Sequence, residues 1–192
     1  MTDTVIWAVV AGALIVLAVY AVGIYNNLVR LKHAMAKAWS NIDVVLKQRH
    51  DELPKLVETC KQYMGYEQET LERVMQARAD AERARSDGDV QGVGKAENQM
   101  RLGLGNLFAV AEAYPELKAN ETFAQLQARI TGLEETIADR REFYNESVNL
   151  NNVRIEQFPD VLVARMLGFG AGTLLEFDAA QLTDPDMGQL FG

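Results

Sequence analysis

Side chains that commonly act as nucleophiles or bases are scarce in this sequence. It contains two histidines, His33 and His50, and one cysteine, Cys60. His50 and Asp51 are neighbours in the chain, and neighbouring residues of a helix point about 100° apart, so they do not easily form a dyad. Cys60 follows His50 by nearly three helical turns, about 15 Å, which is too far for a nucleophile–base pair. These spacings do not favour nucleophilic catalysis.

Two other patterns resemble binding sites but have simpler explanations. Glu134, Glu135 and Asp139 offer carboxylates on one predicted helix, yet no Glu-x-x-His pair accompanies them, so we interpret them as a solvated face. The glycines of residues 168–172 (GFGAG) follow no predicted strand and indicate a flexible hinge rather than a dinucleotide site. The sequence contains no zinc-ligand spacing and no P-loop. We therefore expect a non-enzymatic protein without a cofactor, a metal or a small-molecule substrate.

Some residues are candidates for contacts between proteins. Arg49 and Asn151 fall on stripes that are otherwise apolar. They either pair between protomers or are partly exposed or bonded within their own bundle, and we favour the second alternative. Ala8 and Gly12 give the first helix a face of small residues, a pattern that lets membrane helices approach closely. This signal is weak alone, since alanine is common in membrane spans.

The elements that would hold these residues begin with an apolar anchor. No charged residue occurs from Thr4 to Tyr25, and about 20 apolar residues suffice to cross a hydrocarbon core of roughly 30 Å. Trp7 and Tyr25 lie near its two ends, where aromatic rings prefer the membrane interface. A cleaved signal peptide would need a basic start and a shorter apolar run. The stretch Val5–Ile24 therefore predicts a retained single-pass transmembrane helix.

The charges that flank this helix predict its orientation. Asp3 precedes it, whereas Arg30, Lys32 and Lys37 follow it, and basic residues favour the cytoplasmic side. We expect a bacterial-type inner-membrane protein with its N-terminus outside and its bundle in the cytoplasm. The single cysteine fits a reducing compartment. Basic residues close to the span either contact anionic lipid or form a merely solvated helix face, and we favour the solvated face.

The remaining chain is rich in helix-forming residues and acidic overall. The net charge is −8, although residues 26–64 carry seven basic against four acidic side chains. Without a concentrated basic face, nucleic acid is not an expected partner.

Apolar residues recur at three- and four-residue steps, which predicts long amphipathic helices. Pro54 predicts a kink at residues 50–53. The predicted helices are Asn26–Met64, Tyr66–Ser86, Lys95–Ala113, Asn120–Phe158 and Asp160–Leu167. We expect an all-α fold: a single N-terminal transmembrane helix that continues into an elongated antiparallel helical bundle.

The predicted organisation has three parts. Residues 1–25 form a short outer tail and the anchor, residues 26–167 the bundle, and residues 168–192 a glycine-rich hinge with an acidic tail. This tail carries Leu174, Phe177 and Phe191 among its apolar residues, and we interpret it as mobile or as a docking segment for a neighbouring protein.

Several stretches of the chain resemble the LemA family. The matching stretches are Tyr25–Val29 (YNNLV), Ala38–Val44 (AWSNIDV), Asp51–Glu58 (DELPKLVE), Glu112–Phe123 (EAYPELKANETF), Tyr144–Asn145 and Phe158–Ala164. The resemblance implies a membrane-anchored helical bundle with a small outer N-terminus, and it implies no particular activity. Tyr66 departs from the histidine that many relatives have before Glu67. The match is weak after Gly170.

Two functions remain open. The protein either self-assembles into a homo-oligomeric membrane scaffold, or it is an adaptor that holds a partner protein at the membrane through its tail. We favour the scaffold, and its expected partners are membrane lipid and further copies of the chain.

Overall fold

The structure is a computed structural model that describes residues 2–177. Within these residues the chain forms six α-helices and no strand. The helices are α1 (Thr2–Lys61), α2 (Gln68–Asp87), α3 (Val90–Ala111), α4 (Pro115–Lys118), α5 (Glu121–Glu156) and α6 (Asp160–Leu167). The prediction of an all-α fold is confirmed.

α1 begins with the predicted anchor. An 18-residue window of this helix has a mean hydropathy of 2.7, and residues 2–23 are all exposed. By length and composition this part of α1 can cross a membrane. The helix continues beyond the anchor as one element, as predicted, but it ends at Lys61, three residues before the predicted end, and it includes Pro54.

α3 begins at Val90, five residues earlier than predicted. The reason is a helix cap, because the side chain of Asp89 accepts a hydrogen bond from the backbone N–H of Gly92 at 3.0 Å. Gly92 and Gly94, which have low helix propensity, therefore lie inside the helix. α2 packs against α3, and the small buried residues Ala77 and Ala81 on α2 fit the close contact expected from the sequence.

The second half of the chain follows its local signals closely. Pro115 begins a short helix, α4, that we did not predict. Asn120 caps α5 as predicted, since its side-chain oxygen accepts a hydrogen bond from the Phe123 N–H at 3.0 Å. α5 ends at Glu156, two residues before the predicted end, and α6 has the predicted bounds.

These elements form two compact units. Unit 1 contains the described residues up to Ile42 together with Arg140–Thr173, and unit 2 contains Asp43–Asp139 together with the segment that begins at Leu174. α1 and α5 contribute residues to both units. The units do not follow the three predicted segments, whose boundaries stay a prediction.

The core of unit 2 is built from five helices. Leu53, Leu56 and Cys60 of α1 are fully buried there. The other buried members are Val57, Met64, Leu71, Val74, Ala77, Ala81, Ala96, Met100, Leu104, Leu107, Ala111, Leu117, Phe123, Leu126 and Ile130. This core holds the buried charges described below.

The core of unit 1 is smaller. Ile24 and Leu28 of α1 are buried against Ala164 of α6. Farther along α1, Trp39 stacks on Tyr144 of α5 with ring centroids 5.3 Å apart. Residues from both ends of the sequence therefore build this unit.

Candidate functional site

Unit 2 contains a cluster of charged side chains that extends from its interior to its surface. We call Arg49, His50, Glu82, Glu97 and Glu134 the ionic cluster. It draws on α1, α2, α3 and α5, so no single helix contains it. Arg49, His50 and Glu97 are almost fully buried. Since a buried charge is costly unless it is paired, the pairing within the cluster determines whether this core is stable.

Arg49 is the cation of the cluster. Its guanidinium forms ion pairs with Glu97 of α3 and Glu134 of α5. Burial lowers the pKa of Arg49, and the charge and hydrogen bond of Glu134 oppose this effect. Its Nε atom is buried and has no hydrogen-bond partner among the residues that the structure describes. Arg49 thus ties α1 to two other helices through charge-assisted contacts.

His50 lies beside Arg49 and shares its acidic partner. Its Nε2 atom is 2.9 Å from Oε1 of Glu97, and its Nδ1 atom is 3.7 Å from Oε2 of Glu82. Burial lowers the pKa of His50 to about 3, and the positive charges of Arg49, Arg85 and Arg78 add to this. The ring is therefore neutral at physiological pH. We assign the proton to Nε2, which then donates to Glu97.

The backbone of His50 also has an unusual partner. Pro54 has no N–H, so the carbonyl of His50, four residues earlier, lacks its helical donor. Arg78 of α2 donates its Nε–H to this oxygen at 2.8 Å. α2 therefore compensates for the proline inside α1. Arg85, also on α2, donates to Asp43 at 2.7 Å and to Glu82 at 2.6 Å.

Cys60 does not take part in this chemistry. Its thiol is fully buried, and burial raises its pKa to about 11. The thiol is therefore protonated and inaccessible, which disfavours a role as nucleophile.

Unit 1 has a polar site of its own, in which asparagines bind the chain beyond α6. Asn152 accepts from the N–H of Gly172 at 2.8 Å and donates to its carbonyl at 3.0 Å. Asn151 donates to the carbonyl of Gly170 at 3.2 Å. The stretch that we interpreted as a flexible hinge is thus hydrogen-bonded to α5. A side chain at position 172 would meet Met35 and Val148, so glycine permits this close approach.

The structure places the predicted interaction residues in different environments. Arg49 and Asn151 have partners within their own chain, which is the alternative that we favoured. Ala8 and Gly12 are exposed on α1. Leu174 is exposed and Phe177 half-buried, while Phe191 lies outside the described residues. The structure does not bring the described members of this set together into one site.

The tail begins with a contact that the sequence did not suggest. Leu175 is fully buried, and the carbonyl oxygen of Glu176 occupies the space that a side chain at Gly94 would need. Residues 174–177 therefore lie against α3 of the same chain.

Sequence reasoning missed the acidic partners of Arg49. We interpreted Glu134 as solvated, which is wrong, because it is partly buried against Arg49. Glu97 lies three residues before Met100, on the apolar face of α3. Extending this apolar pattern toward the N-terminus of the helix would have identified Glu97 as a buried residue. Opposite charges at stripe positions of two helices were the available signal.

Comparison with known proteins supplies the family. The model of the LemA family matches residues 38–188. The chain belongs to the LemA family. The match reaches beyond Gly170, where we expected only a weak likeness, so the family extends into the tail.

Two kinds of curated relative are similar to this LemA family member. Protein LemA of Metamycoplasma hominis is 27% identical over 169 residues, covering 88% of this chain and 76% of the relative. Magnetosome protein MamQ 2 of Paramagnetospirillum magneticum is 24% identical over 168 residues, covering 76% of this chain and 62% of the relative. Magnetosome protein MamQ of Magnetospirillum gryphiswaldense is 23% identical over the same length, with the same coverage of each chain. The alignment thus spans less than two thirds of the magnetosome relatives. The family and the exposed apolar helix together fit a membrane-associated helical protein.

Proposed function

We propose that this LemA family member is a non-enzymatic membrane scaffold that assembles from several copies of the chain. α1 anchors each copy, with the N-terminus outside the cell and the bundle in the cytoplasm. The observation that carries the assembly is an exposed apolar stripe on α5, which the described part of the chain leaves uncovered. Phe143 and Leu150, two helical turns apart, are 51% and 54% exposed, and Val153 extends the stripe.

The position of the stripe favours a protein as its cover. Phe143 immediately precedes Tyr144, whose ring packs against that of Trp39. Trp39 lies fifteen residues beyond Ile24, about 22 Å along α1 from the end of the apolar span. Lipid does not extend that far, so the stripe at Phe143 would face water in a lone copy. An apolar stripe in water is typical of a contact surface.

The charges of unit 2 support a non-enzymatic role. The buried members of the ionic cluster, Arg49, His50 and Glu97, are paired with one another in the core. Its side chains join helices, which suits a rigid support better than a catalytic site.

The oligomer can be tested with full-length protein in detergent. We expect light scattering to give one large, discrete species. Phe143→Glu should reduce its mass, because a charge on the stripe opposes contact between copies. Leu102→Glu on α3 is the matched control, since Leu102 is a comparable apolar residue, 40% exposed, in unit 2. A monomer or dimer in the unaltered protein would contradict the scaffold.

The alternative is a membrane-tethered adaptor for a cytoplasmic or membrane partner protein. A groove of about 400 Å³ in unit 2 favours it. Val57, Met64, Leu71 and Met75 contribute apolar surface to this groove, and methionines suit adaptable binding surfaces. An adaptor would be a monomer or dimer in detergent. Met75→Glu would then abolish binding of the partner protein without changing the oligomeric mass.

The orientation has its own test in intact cells. A thiol reagent that cannot cross the membrane should label Thr2→Cys and leave Leu102→Cys unlabelled. The reverse pattern would place the bundle outside the cell.

A further inference from the structure

α6 has an apolar face that no part of the described chain covers. Leu162 and Met166, four residues apart on α6, are 58% and 80% exposed, and Phe158, in the turn before the helix, is 80% exposed. Asp160 and Ala164 lie on the opposite face and are buried. The helix is therefore amphipathic, but its largest apolar side chains point away from the protein rather than toward its core.

The buried face of α6 fixes its position along α1. Ala164 packs against Ile24 and Leu28, and the ring of Phe169 meets that of Tyr25 edge-on at a centroid distance of 6.0 Å. Ile24 is the last residue of the apolar span, and Leu28 lies one turn beyond it, about 6 Å along the axis. α6 therefore lies beside the turn of α1 where the hydrocarbon core of a membrane would end.

The exposed charges on α6 and on the adjacent part of α1 are basic, whereas Glu156 at the end of α5 is an exposed acid. Arg165 on α6 is exposed, and so are Arg30 and Lys32 on the adjacent part of α1. The one acid of α6, Asp160, is buried and accepts a hydrogen bond from Arg154 at 3.0 Å. Exposed cations next to an apolar face are suited to anionic lipid headgroups.

We propose that α6 is an interfacial helix and that its exposed face lies in the same bilayer that α1 crosses. Phe158, Leu162 and Met166 enter the boundary between headgroups and acyl chains, while Arg165 remains among the headgroups. Lipid covers this face because α1 holds it at the correct depth. The α5 stripe at Phe143, in contrast, is too far along α1 for lipid to reach. The inference rests on α1 being the membrane span, and it holds for either a scaffold or an adaptor.

The depth of α6 can be measured with a fluorescent label. Leu162→Cys is labelled with a nitrobenzoxadiazole maleimide in full-length protein, at one copy per lipid nanodisc of phosphatidylcholine and phosphatidylglycerol. Cys60 is buried with a protonated thiol, so it does not compete for the label. We expect lipids that carry a nitroxide near the headgroup to quench most of the fluorescence. The same label at Leu102→Cys should keep its fluorescence, and Met166→Cys provides a second reporter on α6.

Leu14→Cys separates failure of the inference from failure of the anchor. Lipids with a nitroxide deep in the acyl chain should quench a label at this position in the span. Quenching at Leu14 without quenching at Leu162 or Met166 would overturn the inference and leave the anchor intact. Absence of quenching at Leu14 would overturn both. If the label at Leu162 is shielded from water only in nanodiscs that hold several copies, a second copy rather than lipid covers this face, and the inference is overturned.

Discussion

The Nε–H of Arg78 donates a hydrogen bond of 2.8 Å to the carbonyl oxygen of His50. That oxygen is the acceptor that Pro54 leaves without a donor inside α1. A side chain of α2 thus replaces the missing backbone hydrogen bond. We therefore expect substitutions of Pro54 and Arg78 to have effects on stability that depend on each other.

Arg78→Met should destabilise unit 2 by about 1–3 kcal/mol, because it leaves a partly buried carbonyl unsatisfied. The measurement is thermal unfolding of the full-length protein, followed by circular dichroism. Arg73→Met is the matched control, since Arg73 lies on the same helix and makes an exposed contact with Glu69. This control should change the melting temperature little.

A double-mutant cycle identifies the acceptor. Pro54→Ala restores an N–H that can bond the His50 carbonyl within α1. In this background Arg78→Met should cost less than in the unaltered protein. An equal cost in both backgrounds would refute the pairing of the two residues.

Arg49→Met should destabilise the protein by about 3–5 kcal/mol, because Glu97 loses its buried cation. Adding Glu97→Gln should recover part of that loss, since the second change removes the uncompensated charge. Lys47→Met, at an exposed position of the same helix, controls for the loss of a positive charge. Chemical denaturation measures all three variants. If Arg49→Met unfolds at the same denaturant concentration as Lys47→Met, the ionic cluster does not stabilise the core.

The low pKa of His50, about 3, makes stability depend on pH. In the unfolded chain a histidine titrates near 6.5, so between these values the unfolded state binds a proton that the folded state does not. The contribution of His50 is therefore fully present above about pH 6.5. It is lost as the pH falls, by at most about 1.4 kcal/mol per pH unit.

His50→Gln tests this pH dependence. Glutamine can donate to Glu97 and does not titrate, so the decline in stability between about pH 7 and pH 5 should be shallower than in the unaltered protein. Thermal unfolding across this range gives the two slopes. Identical slopes would show that the ring does not titrate on unfolding in this range.

Gly94→Ala should displace residues 174–177 from α3, because the new methyl group would collide with the Glu176 carbonyl. Hydrogen exchange at these four residues should accelerate, while the helical content is retained. Gly105→Ala is the control on the same helix, where an added methyl group meets nothing. Unchanged exchange in Gly94→Ala would mean that the segment does not depend on this contact.

Local signals predicted much of this fold. The Asn120 cap, the bounds of α6 and the long apolar run of α1 depend on residues close together in sequence. The start of α3 was mispredicted because the Asp89 cap places Gly92 and Gly94 inside the helix. The close approach of the Glu176 carbonyl to Gly94 involves a residue 82 positions later, and single-sequence periodicity contains no such information.

The ionic cluster was missed for a similar reason. Arg49 was identified as a polar residue on an apolar stripe, but its partners Glu97 and Glu134 belong to other helices. The apolar residue Leu133 is only half-buried, whereas its neighbour Glu134 reaches Arg49. Hydropathy treats glutamate as a surface residue, so a buried pair becomes apparent only when the helices are placed together.

Unit 1 is built from two segments that are far apart in the sequence, and this affects how the unit forms during synthesis. Ile24 and Leu28 leave the ribosome early, but their partner Ala164 follows 140 residues after Ile24. At about 5–20 residues per second, the membrane-proximal end of α1 waits roughly ten seconds or more for that partner. Residues 43–139, by contrast, leave the ribosome as one uninterrupted stretch and supply most of unit 2. We therefore expect most of unit 2 to form before unit 1 closes, after the chain has already been tethered.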